Sequence, residues 1–254
     1  MDKTSLGDRM KAYENVERRY LTRRAPLIIR LDGCHFHSFT RGFDKPFDSS
    51  FLEAMRQTML YLCHNIMGAK LGYTQSDEIT LLLTDDDTLE TQAWFDKNLQ
   101  KIVSVSAAMA TNFFNKEVAM QVKTGVASPG LKKAYDDGRL AIFDSRAFLM
   151  PREEVMNVFE WRQQDCRRNS IQMLGQTYFS QKELQGLSCA KIVEKLKTIG
   201  VSWDNLFPEY QNGVCARKSF TPVVGSDRRE WIIDRYIPIF HEHPEYINNM
   251  VFHK

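Results

Sequence analysis

Two short acidic segments constrain the fold of this chain more than any other feature. In the first, LIIRLDG at residues 27–33, Asp32 follows an apolar run, and in the second, YTQSDEITLLL at 73–83, Asp77 precedes one. Isoleucine and leucine runs bounded by turn residues predict two buried strands. Each strand then carries a carboxylate at one tip, and carboxylate oxygens are ligands that Mg²⁺ takes, usually together with substrate phosphates.

The segments around these two strands predict a β-α-β-β-α-β order, which is the ferredoxin-like motif. Apolar residues at helical spacing, Gly68 after the first helix and a hairpin around Gln75-Ser76-Asp77 support it. The predicted elements after the first strand are a helix at 49–67, strands at 69–74 and 78–84, a helix at 92–115 and a strand at 139–143.

This order has a consequence for the two carboxylates. A crossover helix makes the first two strands parallel, and the third strand inserts between them, antiparallel to the first. We therefore expect Asp32 and Asp77 at the same edge of the sheet. The plainer alternative is that an Asp-Gly after a strand and an Asp-Glu in a hairpin serve only as turns.

Composition restricts the class of protein. The chain of 254 residues and 29.6 kDa can bury one large core or two small ones, and its 43% hydrophobic and 26% charged residues are ordinary for a globular protein. The net charge of +2 gives no global polycation sign for nucleic acid binding. Five cysteines without CxxC spacing fit a reducing cytosol and argue against a disulfide scaffold or structural zinc.

No targeting or membrane segment is predicted. The N-terminus lacks the apolar core of a signal peptide, and no run approaches the roughly 18 apolar residues of a transmembrane helix. We therefore expect a cytoplasmic protein without a membrane partner.

The loop at residues 34–48 follows the first acidic strand directly and is rich in Gly, Pro and Asp, so it is placed to surround a ligand. His35, His37 and Lys45 are candidates for phosphate contacts, and Phe36 is a candidate for stacking on a base. The alternative for Phe36 is that it pins the loop to the core.

A long helix predicted at 152–179 carries an unusually polar cluster, whose members Arg162, Arg167, Arg168 and Asn169 are candidates for contacts to nucleotide or RNA. The alternative is an exposed face with charge pairs. Lys101 lies on the second predicted helix of the motif, where it either lines a phosphate channel or faces water. Arg217 and Lys218 lie on a predicted strand after Gly213.

Ordered motifs in this sequence resemble those of the tRNA-His guanylyltransferase family. They are RLDGxxFH at 30–37, KPxD at 45–48, QSDE at 75–78 and WRQxDC at 161–166, with Arg217-Lys218 following. The resemblance spans most of residues 25–220, and several motifs in order are specific where one alone is weak.

The resemblance implies an α+β fold, a ferredoxin-like polymerase-type palm with added helices and a C-terminal α/β extension. Residues 1–145 would form the palm-like catalytic domain with an N-terminal helix. Residues 146–254 would form a helical and strand extension that packs on the palm and does not fold independently. The assembly implied is a homotetramer.

The activity implied is template-dependent 3′-to-5′ nucleotide addition to the 5′ end of truncated tRNA. ATP or GTP first activates the tRNA 5′ end, and the 3′-hydroxyl of an incoming nucleoside triphosphate then attacks it, with two Mg²⁺ ions serving both steps. By motif, Asp32, Asp77 and the backbone carbonyl of Gly33 would be the metal ligands, and both aspartates would be catalytic. The other implied nucleotide-binding residues are Cys34, His35, Phe36, His37, Lys45, Ser76, Lys101 and Lys218, and Lys45 and Lys218 would neutralise triphosphate charge.

One motif departs from the family. The eukaryotic branch carries a His-x-Asn-Asn type run after the Asp-Cys pair, and here the run reads RRNS at 167–170. Arg167 replaces the histidine and Ser170 replaces the second asparagine. The chain therefore looks closer to the bacterial and archaeal "like" proteins, which repair truncated tRNA against a template.

Three alternatives stay open beside template-dependent repair. The first is a strict tRNA-His guanylyltransferase, and the second is a nucleotide cyclase on a similar palm, which needs no large RNA surface. The third is a non-catalytic RNA-recognition module, which stacks bases on strand aromatics. The first acidic strand has no aromatic residue, and its carboxylate would repel phosphate unless a metal were bound.

Overall fold

A computed structural model describes residues 5–219 and 229–252, with no side-chain description for 251 and 252. Its strands are β1 Leu27–Gly33, β2 Ala69–Gln75, β3 Glu78–Leu83, β4 Phe143–Leu149, β5 Val214–Lys218 and β6 Trp231–Asp234. Its α-helices are α1 Leu6–Val16, α2 Phe36–Phe39, α3 Ser49–Asn65, α4 Leu99–Thr124, α5 Pro129–Asp136, α6 Val155–Tyr178, α7 Gln181–Leu184, α8 Cys189–Lys197, α9 Pro208–Asn212 and α10 Glu245–Phe252. Short 3₁₀ helices cover Trp94–Lys97, Arg152–Glu154 and Trp203–Asn205.

The six strands form one sheet in the order β4-β1-β3-β2-β5-β6, and every neighbouring pair is antiparallel. The first four strands have the 4-1-3-2 order of a β-α-β-β-α-β unit. The predicted α+β ferredoxin-like palm with a C-terminal extension is therefore confirmed. β5 and β6 continue the sheet beyond β2, so the C-terminal segment contributes to the same sheet as the palm.

Alternating residues of β1 enter two different cores. Leu27, Ile29 and Leu31 pack with α3 and α4 residues on one face. Ile28 packs on the other face with Val155 and other residues of α6. This alternation is what a strand of a half-covered or doubly covered sheet requires, and it directs Asp32 to the face that carries Ile28.

The fourth strand was predicted too early, at 139–143, whereas β4 runs from Phe143 to Leu149. Residues before it are held by side chains of α4: the Asn115 amide bonds both backbone groups of Ala141, and the Thr111 hydroxyl accepts from the N–H of Phe143. The apolar residues at 140–143 drew the prediction, but the ladder with β1 begins only at Phe143.

The second palm helix also differs from its prediction at 92–115. α4 starts at Leu99, where Asn98 caps it through the N–H of Lys101, and it continues to Thr124, where Gly125 adopts φ 76°. Both ends follow capping chemistry: Asn is a favoured N-cap and Gly a favoured residue after the last turn. α5 likewise begins with capping chemistry, because Ser128 caps it and Pro129 stands at its first position.

Candidate active site

The ends of β1 and β3 bring Asp32 and Asp77 to one edge of the sheet, as predicted. Asp32 pairs with Glu78 in the β1–β3 ladder, and the N–H of Gly33 donates to the carbonyl of Asp77 at 3.1 Å. Ser76, in the hairpin turn, adopts φ 49°. Two carboxylates and the Gly33 backbone therefore converge at the turn between β2 and β3.

The pKa of Asp77 reflects its burial and the proximity of the Asp32 carboxylate. Burial raises the pKa of Asp77, and the negative charge of Asp32 raises it further, while hydrogen bonding from the Ser76 hydroxyl acts in the opposite direction. An anion that is both desolvated and beside another anion is unfavourable unless a cation joins it. This arrangement fits hard divalent cations with oxygen ligands.

A third carboxylate, Asp144, was missed by the sequence analysis. Asp144 lies directly opposite Asp32 in the β1–β4 ladder, and its buried Oδ1 atom has no hydrogen-bond partner among the described residues. The Cys34 thiol donates to its Oδ2 atom at 3.7 Å. The signal lay in the alternation of the segment 143–149, but the predicted strand stopped one residue before Asp144.

These carboxylates are not already arranged as a complete metal shell. Within residues 5–219 and 229–252, no group of three or more Asp, Glu, His and Cys side chains has the arrangement of a metal site. Asp32, Asp77 and the Gly33 carbonyl would supply a partial set of oxygen ligands, which is the usual situation for Mg²⁺ in sites completed by substrate phosphates and water.

A cleft of about 200 Å³ opens beside Asp77. His37 and Lys45, two of the predicted phosphate ligands, line it together with Ser76. His35 is exposed, in a left-handed conformation with φ 56°, and its ring centroid lies 6.1 Å from that of His37. The structure thus brings His37 and Lys45 into the cleft beside Asp77.

The loop around this cleft is held by aromatic packing and by Asp48. Phe36 is only 3% exposed and contacts the rings of Phe39, Phe51, Phe114 and Phe143, so it pins the loop to the core, as the alternative interpretation proposed. Asp48 caps α3 and accepts from the N–H of Phe51 at 3.0 Å and of Asp44 at 3.2 Å. The Ser128 hydroxyl donates to it at 2.6 Å.

Cys34 has a supporting position in this loop. Its N–H donates to the carbonyl of Ile142 at 2.8 Å. Burial raises the pKa of the Cys34 thiol, and the Asp144 carboxylate raises it further. A protonated thiol is a poor nucleophile and metal ligand, so Cys34 orders the loop that leaves Asp32 and performs no evident chemistry.

Two predicted phosphate ligands lie away from the carboxylate edge. β5 pairs Val214 with Thr74 and runs antiparallel to β2, so Lys218 is at the opposite end of the sheet from Asp77. Lys101 lies in the first turn of α4, near the Phe95 ring at 5.9 Å. This turn follows the end of β3 that is remote from Asp77, so neither lysine reaches the cleft within this chain.

The polar cluster of α6 divides into buried and exposed members. Arg162 is buried and pairs with Glu78 at 2.8 Å, so this guanidinium is not exposed for the RNA contact that was predicted. Arg167 hydrogen-bonds Asn212 and lies 4.9 Å from the Trp203 ring. Arg168 is 60% exposed, although it also contacts Asp165. Of the three arginines, Arg168 is the one available to a partner.

Among the described residues, no helix is long and apolar enough to span a bilayer.

Comparisons of the sequence and of the structure with known proteins give the same family description. The profile of the Thg1 family, described as tRNAHis guanylyltransferase, matches residues 7–151, more than half of the chain. A bacterial tRNA(His) guanylyltransferase (Thg1)-like protein solved with ATP superposes with a TM-score of 0.87 at 45% identity, covering 98% of this chain and 100% of that one. A bacterial protein of the same description solved with GTP gives 0.81 at 42% identity, with the same two coverages. An uncharacterized protein of Acanthamoeba polyphaga mimivirus is 29% identical, over 84% of this chain and 77% of its own length.

Proposed function

Because the chain belongs to the tRNAHis guanylyltransferase (Thg1) family, we propose that it is a nucleotidyltransferase that adds nucleotides in the 3′-to-5′ direction to the 5′ end of truncated tRNA, directed by a template. The observation that carries this proposal is the convergence of Asp32 and Asp77 at one sheet edge, beside a cleft lined by Lys45. The relatives solved with ATP and with GTP support nucleoside triphosphates as substrates.

Asp32, Asp77 and the carbonyl of Gly33 would hold two Mg²⁺ ions. The raised pKa of Asp77 and the unpartnered Oδ1 atom of Asp144 support a cation at this edge. When bound, the metal ions supply charge stabilisation at the attacking and leaving oxygens of phosphoryl transfer. Asp144 lies beside Asp32 and would add negative charge to this edge, which Arg146, 3.7 Å from the Asp144 carboxylate, offsets in part.

The loop residues position the phosphates. Lys45 and His37 line the cleft and would bind the triphosphate, and Ser76 lines the same cleft beside Asp77. Reaction then needs two displacements. The tRNA 5′-phosphate attacks the α-phosphorus of ATP and releases pyrophosphate. The 3′-hydroxyl of the incoming nucleotide next attacks the activated 5′-phosphorus, and AMP leaves. Such transfers depend chiefly on positioning and charge neutralisation.

The positions of Arg167 and Arg168 favour repair over strict recognition of tRNA-His. Arg167 stands where the eukaryotic run has histidine, and its guanidinium is engaged by Asn212 and the Trp203 ring. A guanidinium that is engaged in this way is not available to read tRNA identity. The strict guanylyltransferase is the second candidate, because the family takes its name from that activity.

The remaining parts of the proposal concern organisation. We propose a cytoplasmic homotetramer in which residues 146–254 do not fold apart from 1–145. Support for assembly comes from α1, whose residues are all away from the core and whose Leu6, Met10 and Tyr13 are 67%, 51% and 73% exposed. Light scattering on the purified protein measures the subunit number, and a monomer at micromolar concentration would contradict the assembly.

A gel assay tests the proposed activity. Purified protein is incubated with Mg²⁺, 5′-labelled truncated tRNA and each nucleoside triphosphate in turn, with and without ATP. The expected product is one nucleotide longer at the 5′ end, with ATP or GTP required for activation. A protein that converts a free triphosphate to a cyclic nucleotide and leaves the RNA unchanged would be a cyclase. One that binds RNA without any reaction would be a recognition module.

A further inference from the structure

An inner cavity continues the cleft beside Asp77 toward the C-terminal helices. It has a volume of about 70 Å³ and is walled by residues of α3, β2, α6 and α9. Phe51, Ser76 and Met173 line both this cavity and the outer cleft of about 200 Å³. The proposed two-step reaction takes place in the outer cleft, and none of its steps uses the inner cavity.

Two side-chain amides in this cavity have no protein partner. Gln75, at the end of β2, is 7% exposed, and neither its amide nor that of Asn169 on α6 has a hydrogen bond to any described residue. Gln75 is buried, whereas Asn169 is half-buried. Two amides without a protein partner that line one small space indicate a ligand that supplies the missing donors and acceptors.

The charged residues of the cavity exclude an ionic ligand. Arg56 pairs with Glu209 at 3.0 Å and with Glu53 at 3.3 Å. Asp48 is satisfied by the Ser128 hydroxyl and the N–H of Phe51. A phosphate or a metal ion would find no uncompensated charge here. Neutral amides instead match the edge of a nucleobase, which offers both donors and acceptors.

An aromatic series leads from this cavity to the surface. Phe47 and Tyr210 line the cavity and stack with ring centroids 4.6 Å apart at 5°. Phe207 follows, 6.3 Å from Tyr210, and is 66% exposed. Successive aromatic rings are the usual platform for single-stranded nucleic acid. A mononucleotide whose phosphates lie at Lys45 would not reach the exposed Phe207 ring, whereas a single-stranded nucleic acid would extend to it.

We propose that the inner cavity binds an unpaired nucleotide of the 3′ strand of the RNA substrate. This assignment rests on the proposed function, because an RNA shortened at its 5′ end necessarily presents unpaired 3′-strand nucleotides beyond the catalytic edge. Gln75 and Asn169 bond the base edge, and Tyr210 stacks with the strand. Met173, at the boundary of the two spaces, is unbranched and adaptable, so its movement enlarges a cavity that is smaller than a base.

The test compares two labelled hairpin RNAs with the same 5′-truncated stem. One keeps its unpaired 3′ nucleotides and the other is trimmed blunt, and affinities are measured by fluorescence anisotropy without nucleotide. Gln75→Met, Asn169→Ala and Tyr210→Ala should each weaken binding of the overhang RNA about 5-fold to 150-fold, the range for a lost base contact of 1–3 kcal/mol. Binding of the blunt RNA should change less than twofold.

Matched controls separate local from general effects. Gln164→Ala removes another amide of α6, one that is exposed and bonded to Glu160, and should leave both affinities unchanged. Tyr210→Phe keeps the ring and should restore binding. Thermal melting checks the fold of Gln75→Met, and Asn169→Ala, at a partly exposed helix position, gives the same readout without altering β2.

The assignment would be overturned if the variants lost the same affinity for both RNAs, or if no variant lost affinity for the overhang RNA. Unchanged RNA affinity with a raised KM for ATP or GTP would also overturn it, because the cavity would then hold the base of a mononucleotide. The proposed function is tested separately by nucleotide addition with the wild type. A wild type that shows the expected binding pattern but adds no nucleotide keeps the cavity assignment and refutes the activity.

Discussion

Asp32 on β1 and Asp144 on β4 are direct cross-strand partners, so two carboxylates occupy one rung of the sheet. Like charges directly opposite each other destabilise a strand pair by a few tenths to about 1 kcal/mol. The Arg146 guanidinium lies 3.7 Å from the Asp144 carboxylate and offsets part of this repulsion, and a bound metal ion would offset the rest. The stability of the protein should therefore depend on whether a metal ion is bound beside Asp32 and Asp144.

We predict that Asp144→Asn increases the free energy of unfolding by about 0.5 kcal/mol in metal-free buffer, because it removes one charge of the pair. Added Mg²⁺ should stabilise the wild type more than this variant, since a cation binding only the folded state raises stability by mass action. Urea unfolding with EDTA and with Mg²⁺ measures both effects. A less stable variant in EDTA would show that Asp144 is structurally required.

We predict that Asp32→Asn and Asp77→Asn each reduce nucleotide addition by at least about a hundredfold while the fold persists. Loss of a metal ligand removes several kcal/mol of charge stabilisation in the transition state. Asp136→Asn, on the surface of α5 beside Lys132, is the control and should retain full activity. Single-turnover rates measure the change, and near wild-type turnover in either variant would refute the assignment.

A buried ion pair supplies a prediction about stability. Lys97 and Asp85 are each 3% exposed at the side chain and lie 2.9 Å apart, and Lys97 also donates to the carbonyls of Thr22 and Ala25. Asp85→Ala should lower the free energy of unfolding by about 3–5 kcal/mol, because it leaves a buried cation unpaired. Asp87→Ala, from the more exposed pair with Lys70, should cost at most about 1 kcal/mol.

The same pair predicts a pH dependence. Burial raises the pKa of Asp85, but hydrogen bonds from the N–H of Arg24 and from Lys97 outweigh it, so the pKa lies below its ordinary value. The folded state therefore binds this proton more weakly than the unfolded state. The stability that Asp85 contributes is present above the ordinary carboxyl pKa and lost as pH falls through the lowered one. Urea unfolding at pH 7 and below pH 4 should show wild type and Asp85→Ala converging.

The sequence predicted the edge that carries Asp32 and Asp77 because strand order and alternation follow from short local signals. Apolar runs beside Asp32 and Asp77, with a helical stretch between them, were sufficient to place both at one edge. β4 was misplaced because its start is decided by contacts remote in sequence, such as Asn115 with Ala141. Because the predicted strand ended at residue 143, Asp144 was not recognised as the cross-strand partner of Asp32.

The predicted roles of charged side chains were less reliable than the fold. A motif names residues but does not fix how far along a strand or helix they lie from the site. Lys218 was placed near the triphosphate by resemblance, yet the register of β5 puts it at the far end of the sheet. Arg162 was assigned to RNA, but burial beside Glu78 depends on how α6 crosses the sheet. Such tertiary contacts leave no local pattern.

We predict that Arg168 contacts the RNA backbone, whereas Arg162 only stabilises the fold. Arg168→Ala should weaken tRNA binding uniformly across sequences and reduce the salt slope by about one, since one phosphate contact releases about one counterion. Arg162→Ala should lower stability, because Glu78 loses its buried partner, and leave the salt slope unchanged. Filter binding between about 50 and 200 mM salt measures both slopes. An unchanged slope for Arg168→Ala would place that residue on a solvated face.

The last prediction concerns substrate choice and follows from the fixed position of Arg167. Because its guanidinium is engaged by Asn212 and Trp203, Arg167 is not free to read tRNA identity. Selection of the added nucleotide then depends on its pairing with the opposing base of the tRNA, which aligns its 3′-hydroxyl. Alignment of reacting groups is worth up to roughly 7–11 kcal/mol, so a mispaired nucleotide should react far more slowly.

The experiment compares truncated tRNA-His with another truncated tRNA, each offered the four triphosphates separately. Both should gain the Watson–Crick complement at similar rates. Untemplated G addition to full-length tRNA-His as the main activity would establish a strict guanylyltransferase instead.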